Sequence, residues 1–263
     1  MEKYKTLKNI FILCVFLFLY LPIITLIIFS FNTSELNILF EGFTLDWYFK
    51  LFENTTLIEA LINTLIVSVV STIVSTVIGT LAAIGLHKYD FKGKKLINGL
   101  LYVPVVIPEI VLGISLLSVY TLLKLDLGLS TLIISHIAFS IPFVIISVRT
   151  VLNSSNLNIE EAAYDLGATE FKAFTRVIIP ELMPGIISGA TLAFTLSLDD
   201  VIISYFTAGP GSNTLPLQIY SMIKTGVTPD VNALTTLIIL VIMSVLLIST
   251  LVQVRKIKKE YVR

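Results

Sequence analysis

Charge and sulfur are scarce in this chain. Only 14% of its 263 residues are charged, and it holds one cysteine, two histidines and one tryptophan. A single cysteine, Cys14, set in an apolar run, excludes a disulfide framework and a cysteine-based metal site. His87 and His136 stand far apart, without ligand spacing. No GxxxxGK phosphate loop is present, so the chain is not expected to hydrolyse ATP itself. Its 18 basic and 18 acidic residues cancel, so no basic nucleic-acid surface is implied. Neither a low-complexity linker nor a solenoid-length repeat divides it, and a single membrane domain, 1–263, is the expectation.

What is abundant is apolar surface: 56% of residues are hydrophobic, and the mean hydropathy is +0.93. That is too apolar for a soluble domain. Six segments are long enough to span a bilayer as helices: Asn9–Phe31, Ile62–Leu86, Leu96–Leu123, Thr131–Val151, Leu182–Tyr205 and Val231–Val254. The expected class is therefore an all-α, multi-pass membrane protein with six transmembrane helices. The basic, then apolar N-terminus resembles a signal peptide, but its apolar run is of span length and lacks a small-residue cleavage site. It reads as an uncleaved first helix. Lys3, Lys5 and Lys8, Lys88 to Lys95, Arg149, Lys172 and Arg176, and Arg255 to Arg263 fall on one side. Only Lys50, Lys124 and Lys224 fall on the other. The positive side is cytoplasmic, which puts both termini there.

Between the fourth and fifth segments, about 153–181, lies the one long polar interruption. Asn158 with Glu161 three residues on suits a capping box. Gly167 suits a left-handed helix end. Thr169 suits the cap of a second short helix, and Pro180 its stop.

Acids inside the spans are the other informative feature. A carboxylate near the bilayer centre costs about 2.5–3.5 kcal/mol on insertion scales. Glu109, Asp199 and Asp200 all stand in apolar segments that hold no Lys or Arg well inside them. Asp199 and Asp200 follow a stripe of small residues, Gly185, Gly189, Ala193 and Ser197, at four-residue spacing. An acid cluster beside a pore is what a cation pathway needs, with Tyr205 nearby for cation–π contact. The bland alternative is that the acids hydrogen-bond to Ser197, Ser204 or a partner chain. In the first outer loop Trp47 reads equally as an interfacial anchor or as a contact for an arriving ligand.

Two motifs carry a family resemblance. Glu161-Ala162-Ala163, then Gly167, then Val177-x-Ile179-Pro180 resembles the EAA loop of permease subunits of bacterial ABC importers, with Val177 and Ile179 conservative departures. Ser197-Leu198-Asp199-Asp200, Gly209-Pro210-Gly211 and Thr214-Leu215-Pro216 are similar to the PotC-type family of spermidine/putrescine permeases, and the likeness runs nearly the whole length. The resemblance implies a type I ABC importer permease fold in the bacterial cytoplasmic (inner) membrane, with a cytoplasmic coupling helix between helices 4 and 5. It implies transport of polyamine and no enzymatic activity on this chain. Glu161, Ala162, Ala163, Asp165, Gly167 and Pro180 would meet the ATPase. Glu109, Asp199, Asp200, Trp47, Ser197 and Tyr205 would line the substrate path. The implied partners are a second, PotB-type permease, two ATPase subunits carrying ATP–Mg, and an extracytoplasmic polyamine-binding protein; no cofactor belongs to this chain. Permeases for ferric iron, phosphonates or sugars share the EAA-like loop, so the solute stays open at this point. So does a stand-alone proton-coupled transporter. A catalytic Asp199–Asp200 dyad is disfavoured, because helical neighbours point about 100° apart.

Overall fold

The computed structural model describes the backbone of residues 2–35, 39–154, 158–222 and 228–261; side chains at 2–6, 158–160, 245–246 and 248–261 lie outside the described set. In chain order the helices are α1 (Glu2–Phe29), α2 (Asp46–Glu53), α3 (Thr55–Lys88), α4 (Lys94–Leu101), α5 (Val103–Val106), α6 (Glu109–Leu122), α7 (Leu129–Ser154), α8 (Asn158–Asp165), α9 (Glu170–Ala173), α10 (Ile179–Leu198), α11 (Ile202–Thr207), α12 (Leu215–Met222) and α13 (Pro229–Tyr261). A π-helical turn, Phe174–Ile178, joins α9 to α10. Among the described residues, four helical stretches are long and apolar enough to cross a membrane: Leu7–Phe29, Thr55–Lys88, Leu129–Ser154 and Glu170–Leu198. A fifth arises if α4–α5 and α6 together make one broken span, and Pro229–Ser244 is a shorter apolar helix.

The chain divides into two compact units, Met1–Ile58 with Ser221–Arg263, and Glu59–Tyr220. In the first, α13 packs on α1 and on α2. Asn54 Nδ2 donates to Asp230 Oδ2 (2.7 Å), tying the end of α2 to the start of α13. In the second, α7 and α10 form the core. The small-residue stripe is the reason: Gly185, Gly189, Ala193 and Ser197 are all buried. A Cβ on Gly185 would stand 3.1 Å from both Ser147 O and Val148 Cα, and one on Gly189 3.1 Å from Val144 Cα. The two backbones thus approach closely, as membrane helices do through small residues. Ala83, Val144, Ile145, Val148, Leu152 and Leu182 complete the buried cluster.

Three expected elements take another form. The third segment is not one helix. Ile107 is extended (ψ 137°), as a residue before proline must be, and α4–α5 meets α6 at 112°. The fifth segment does not run through to Tyr205: α10 ends at Leu198, and α11 starts afresh at Ile202. Pro180 does not stop a helix either. It sits in the first turn of α10, where its missing N–H costs little, and helical backbone continues unbroken through the π-turn.

Candidate functional site

The polar segment is built locally, as its residue types demand. α8 ends where Gly167 takes a left-handed φ of +82°. Ala168 N donates to Ala163 O (3.0 Å) and Gly167 N to Tyr164 O (2.9 Å), the paired bonds of a Schellman close. Thr169 Oγ1 then accepts from Lys172 N (3.4 Å), capping α9. The Asn158 half of the expected capping box lies outside the described side chains. Glu161, Ala162, Asp165, Gly167 and Pro180 are exposed and Ala163 is half-buried. Two apolar side chains that the motif did not single out stand farthest into solvent: Leu166 is 89% exposed and Phe171 76%.

The acids converge elsewhere in the Glu59–Tyr220 unit. Two adjacent aspartates make a poor helix interior, because their carboxylates compete for backbone N–H groups. At Asp199–Asp200 the helix therefore breaks. Asp200 turns inward and accepts from Ile203 N (3.2 Å, Oδ1) and Ser204 N (2.7 Å, Oδ2), so it caps α11. It is 9% exposed, whereas Asp199 is exposed. Glu109, exposed and first in α6 just past the 112° bend, is carried toward Asp199–Asp200 by the packing of α6 on α11. Packing enforces this proximity: α6 backs onto α11 at Gly113, where an added Cβ would fall 2.6 Å from Phe206 Cδ2. From Val177 to Ile223 the sequence holds no Lys or Arg. Tyr205 is 62% exposed and stands edge-on to Phe206, 5.2 Å between centroids. Ser197 is buried, 3.1 Å from Ser71 Oγ and 2.7 Å from His136 Nδ1. His136 was invisible as a site residue in the sequence, because it stands alone on a different helix.

After the break the chain turns at Gly209-Pro210-Gly211-Ser212. Ser212 N donates to Gly209 O (3.1 Å), and Gly211 takes φ +74°, as position three of a type II turn requires. Asn63 Nδ2 donates to Gly211 O (3.2 Å) and Asn213 O (3.0 Å), and Leu215 N donates to Thr64 Oγ1 (2.7 Å). The start of α12 is thereby pinned to α3.

Trp47 belongs to the other unit and is buried there. Its Nε1–H donates to Asn32 O at 2.6 Å, and Lys50 Nζ lies 4.4 Å from the ring centroid. Asn32 is itself buried and braces the loop through Leu39 O (2.7 Å) and Glu41 N (2.9 Å). Trp47→Phe keeps the ring and strands the Asn32 carbonyl. A loss of about 1–3 kcal/mol is expected, read as a lowered thermal unfolding midpoint in detergent.

These features define a class before they define a solute: a helical membrane protein with an exposed polar segment and acids gathered at a helix break. Residues 75–259 match the binding-protein-dependent transport system inner membrane component family, and the chain belongs to it. It is 42% identical over 248 residues to the spermidine/putrescine transport system permease protein PotC of Escherichia coli (strain K12), covering 94% of each chain. It is 35% identical over 239 residues to the putrescine transport system permease protein PotI of the same strain, covering 88% of this chain and 85% of that one. Its fold is similar to a chain in the crystal structure of a bacterial ABC transporter involved in import of the acidic polysaccharide alginate, with a TM-score of 0.72, 17% identity and 96% of both chains covered.

Proposed function

We propose that this chain is a membrane-spanning subunit of an ATP-driven polyamine importer, with spermidine and putrescine as its substrate class. The observation that carries this reading is the packing of α6, which begins at Glu109, on α11, which follows Asp199 and Asp200, where the flanking sequence, 96–123 and 177–223, holds no Lys or Arg. Carboxylates set in apolar membrane segments need a counter-charge, and a flexible polycation supplies one while it passes. The resemblance to PotC and PotI supports the same solute.

In this reading the chain is one membrane domain with six crossings. The α4–α5 and α6 pair makes the third and α13 the sixth, and both termini are cytoplasmic. α8 is the coupling helix. Leu166 and Phe171, exposed on either side of Gly167, support its docking into an ATPase subunit, with Glu161 and Asp165 meeting basic residues there. A second, PotB-type permease completes the path, two ATPase subunits hold ATP–Mg, and an extracytoplasmic binding protein delivers the polyamine.

The test is spermidine uptake by the assembled transporter in vesicles with internal ATP and no proton gradient. Uptake is expected, and its absence would overturn the reading. Gly167→Asp is expected to abolish that uptake while leaving membrane insertion intact. Nothing lies within 4 Å of a Cβ at Gly167, and aspartate is among the residues that best tolerate a positive φ. The variant should therefore fold, and lose only close contact with the ATPase.

A further inference from the structure

His136 is 0% exposed, and nothing in the reading above uses it. From α7 its ring touches three successive parts of the neighbouring break. Nδ1 lies 2.7 Å from Ser197 Oγ in the last turn of α10. Nε2 lies 3.5 Å from Asp200 Oδ2 in the break and 3.2 Å from Ser204 Oγ in the first turn of α11. Ser197 Oγ continues the chain to Ser71 Oγ on α3 at 3.1 Å. An imidazole N–H donates and a carboxylate accepts, so a hydrogen on Nε2 serves the contact to Asp200. The Ser197 hydroxyl can adapt to either state of Nδ1, because it both donates and accepts. Each member of the chain is buried, so each bond acts in a low-dielectric setting, where losing it leaves an unpaired polar group.

The geometry points to a positioning role. We propose that His136 anchors Asp200 in the interior and thereby sets which member of the aspartate pair meets the solute. Asp199 and Asp200 are consecutive residues at a chain break. Tethering one from α7 fixes the direction of the other. With Asp200 held by His136, Ile203 N and Ser204 N, Asp199 is the one left exposed beside Glu109. The pair thus splits into an inner acid that shapes the break and an outer acid that binds. This proposal rests on the polyamine-path reading.

Two amide substitutions separate anchoring from mere filling of the core. His136→Gln can place an N–H where Nε2 stood and keep the contact to Asp200. His136→Asn is shorter, reaches toward the Nδ1 position and loses that contact. Spermidine uptake against concentration is measured in ATP-loaded vesicles for the wild-type transporter, both single variants, Asp200→Asn, and the His136→Asn, Asp200→Asn double. His136→Asn is expected to raise KM by about 10- to 100-fold, the usual weight of a bond to a charged group. His136→Gln should stay within about threefold of wild type. In the Asp200→Asn background, His136→Asn should add less than about twofold, because the two changes remove one interaction. Equal KM for the Asn and Gln variants, or a full His136→Asn effect persisting without Asp200, overturns the proposal. So does a Gln variant that fails to assemble, since it keeps the anchoring N–H. Recovery of the Gln variant alone supports the anchor. A wild-type transporter that takes up no spermidine overturns the function instead, and the two failures cannot be confused.

Discussion

Gly185→Leu is expected to eliminate nearly all folded permease. A Cβ at this position would already stand 2.8 Å from Val151 Cγ2 and 3.1 Å from Ser147 O and Val148 Cα. Two of those three atoms are backbone of α7 and cannot swing aside. Four carbons must therefore push the helices apart along the contact that forms the core. Overpacking costs about 1–3 kcal/mol even where side chains can yield. In a bilayer the loss is harder to offset, because lipid tails compete evenly with apolar side chains and close packing supplies much of the attraction between helices. Gly189→Leu meets Val144 Cα at 3.1 Å and should behave alike. Gly85→Ala, with nothing within 4 Å and inside α3, is the contrast: its folded yield should match or slightly exceed wild type. The measurement is the fraction of each variant recovered as a monodisperse species after detergent extraction. Equal recovery of Gly185→Leu and wild type would show that the α7–α10 contact does not govern folding.

That contact could be read from sequence because its signal is periodic and local. Four small residues at four-residue spacing predict a close approach, and α7 lies against Gly185, Gly189 and Ser197. Gly167 was legible for a similar reason: a glycine closing a short polar helix has one common use, and φ +82° is that use. What escaped depended on partners remote in sequence. No local rule joins His136 to Asp200, yet their side chains lie 3.5 Å apart. Without that link, Asp199 and Asp200 look equivalent and read as a continued helix. With it, one is a cap and the other a surface. Pro180 misled in the opposite direction. Proline usually marks an end, but the π-turn before it places it in a first turn, where its missing N–H does no harm. The small stripe thus foretold where the helices meet, while the chemistry of the site depended on a single buried ring from another helix.

Neutralising the two exposed acids should cost transport without costing the protein. Asp199→Asn and Glu109→Gln are each expected to lower kcat/KM for spermidine by about 10- to 100-fold, mostly through KM, as loss of a charged contact does. The sign of the folding effect is opposite. An ionised acid in a span opposes insertion by about 2.5–3.5 kcal/mol on insertion scales, and an amide opposes it less. The variants should therefore reach the membrane at or above wild-type levels, which excludes misfolding as the cause of lost uptake. Asp200→Asn should differ on this second measure: its carboxylate takes N–H bonds from Ile203 and Ser204 and faces His136, so the amide weakens the cap and folded yield falls. Uptake kinetics and membrane abundance, measured on the same vesicles, thus sort the three acids into two kinds. If the Asp199→Asn, Glu109→Gln double variant transports spermidine with wild-type KM, these carboxylates do not form the path, and selection of the polycation lies elsewhere in the assembly.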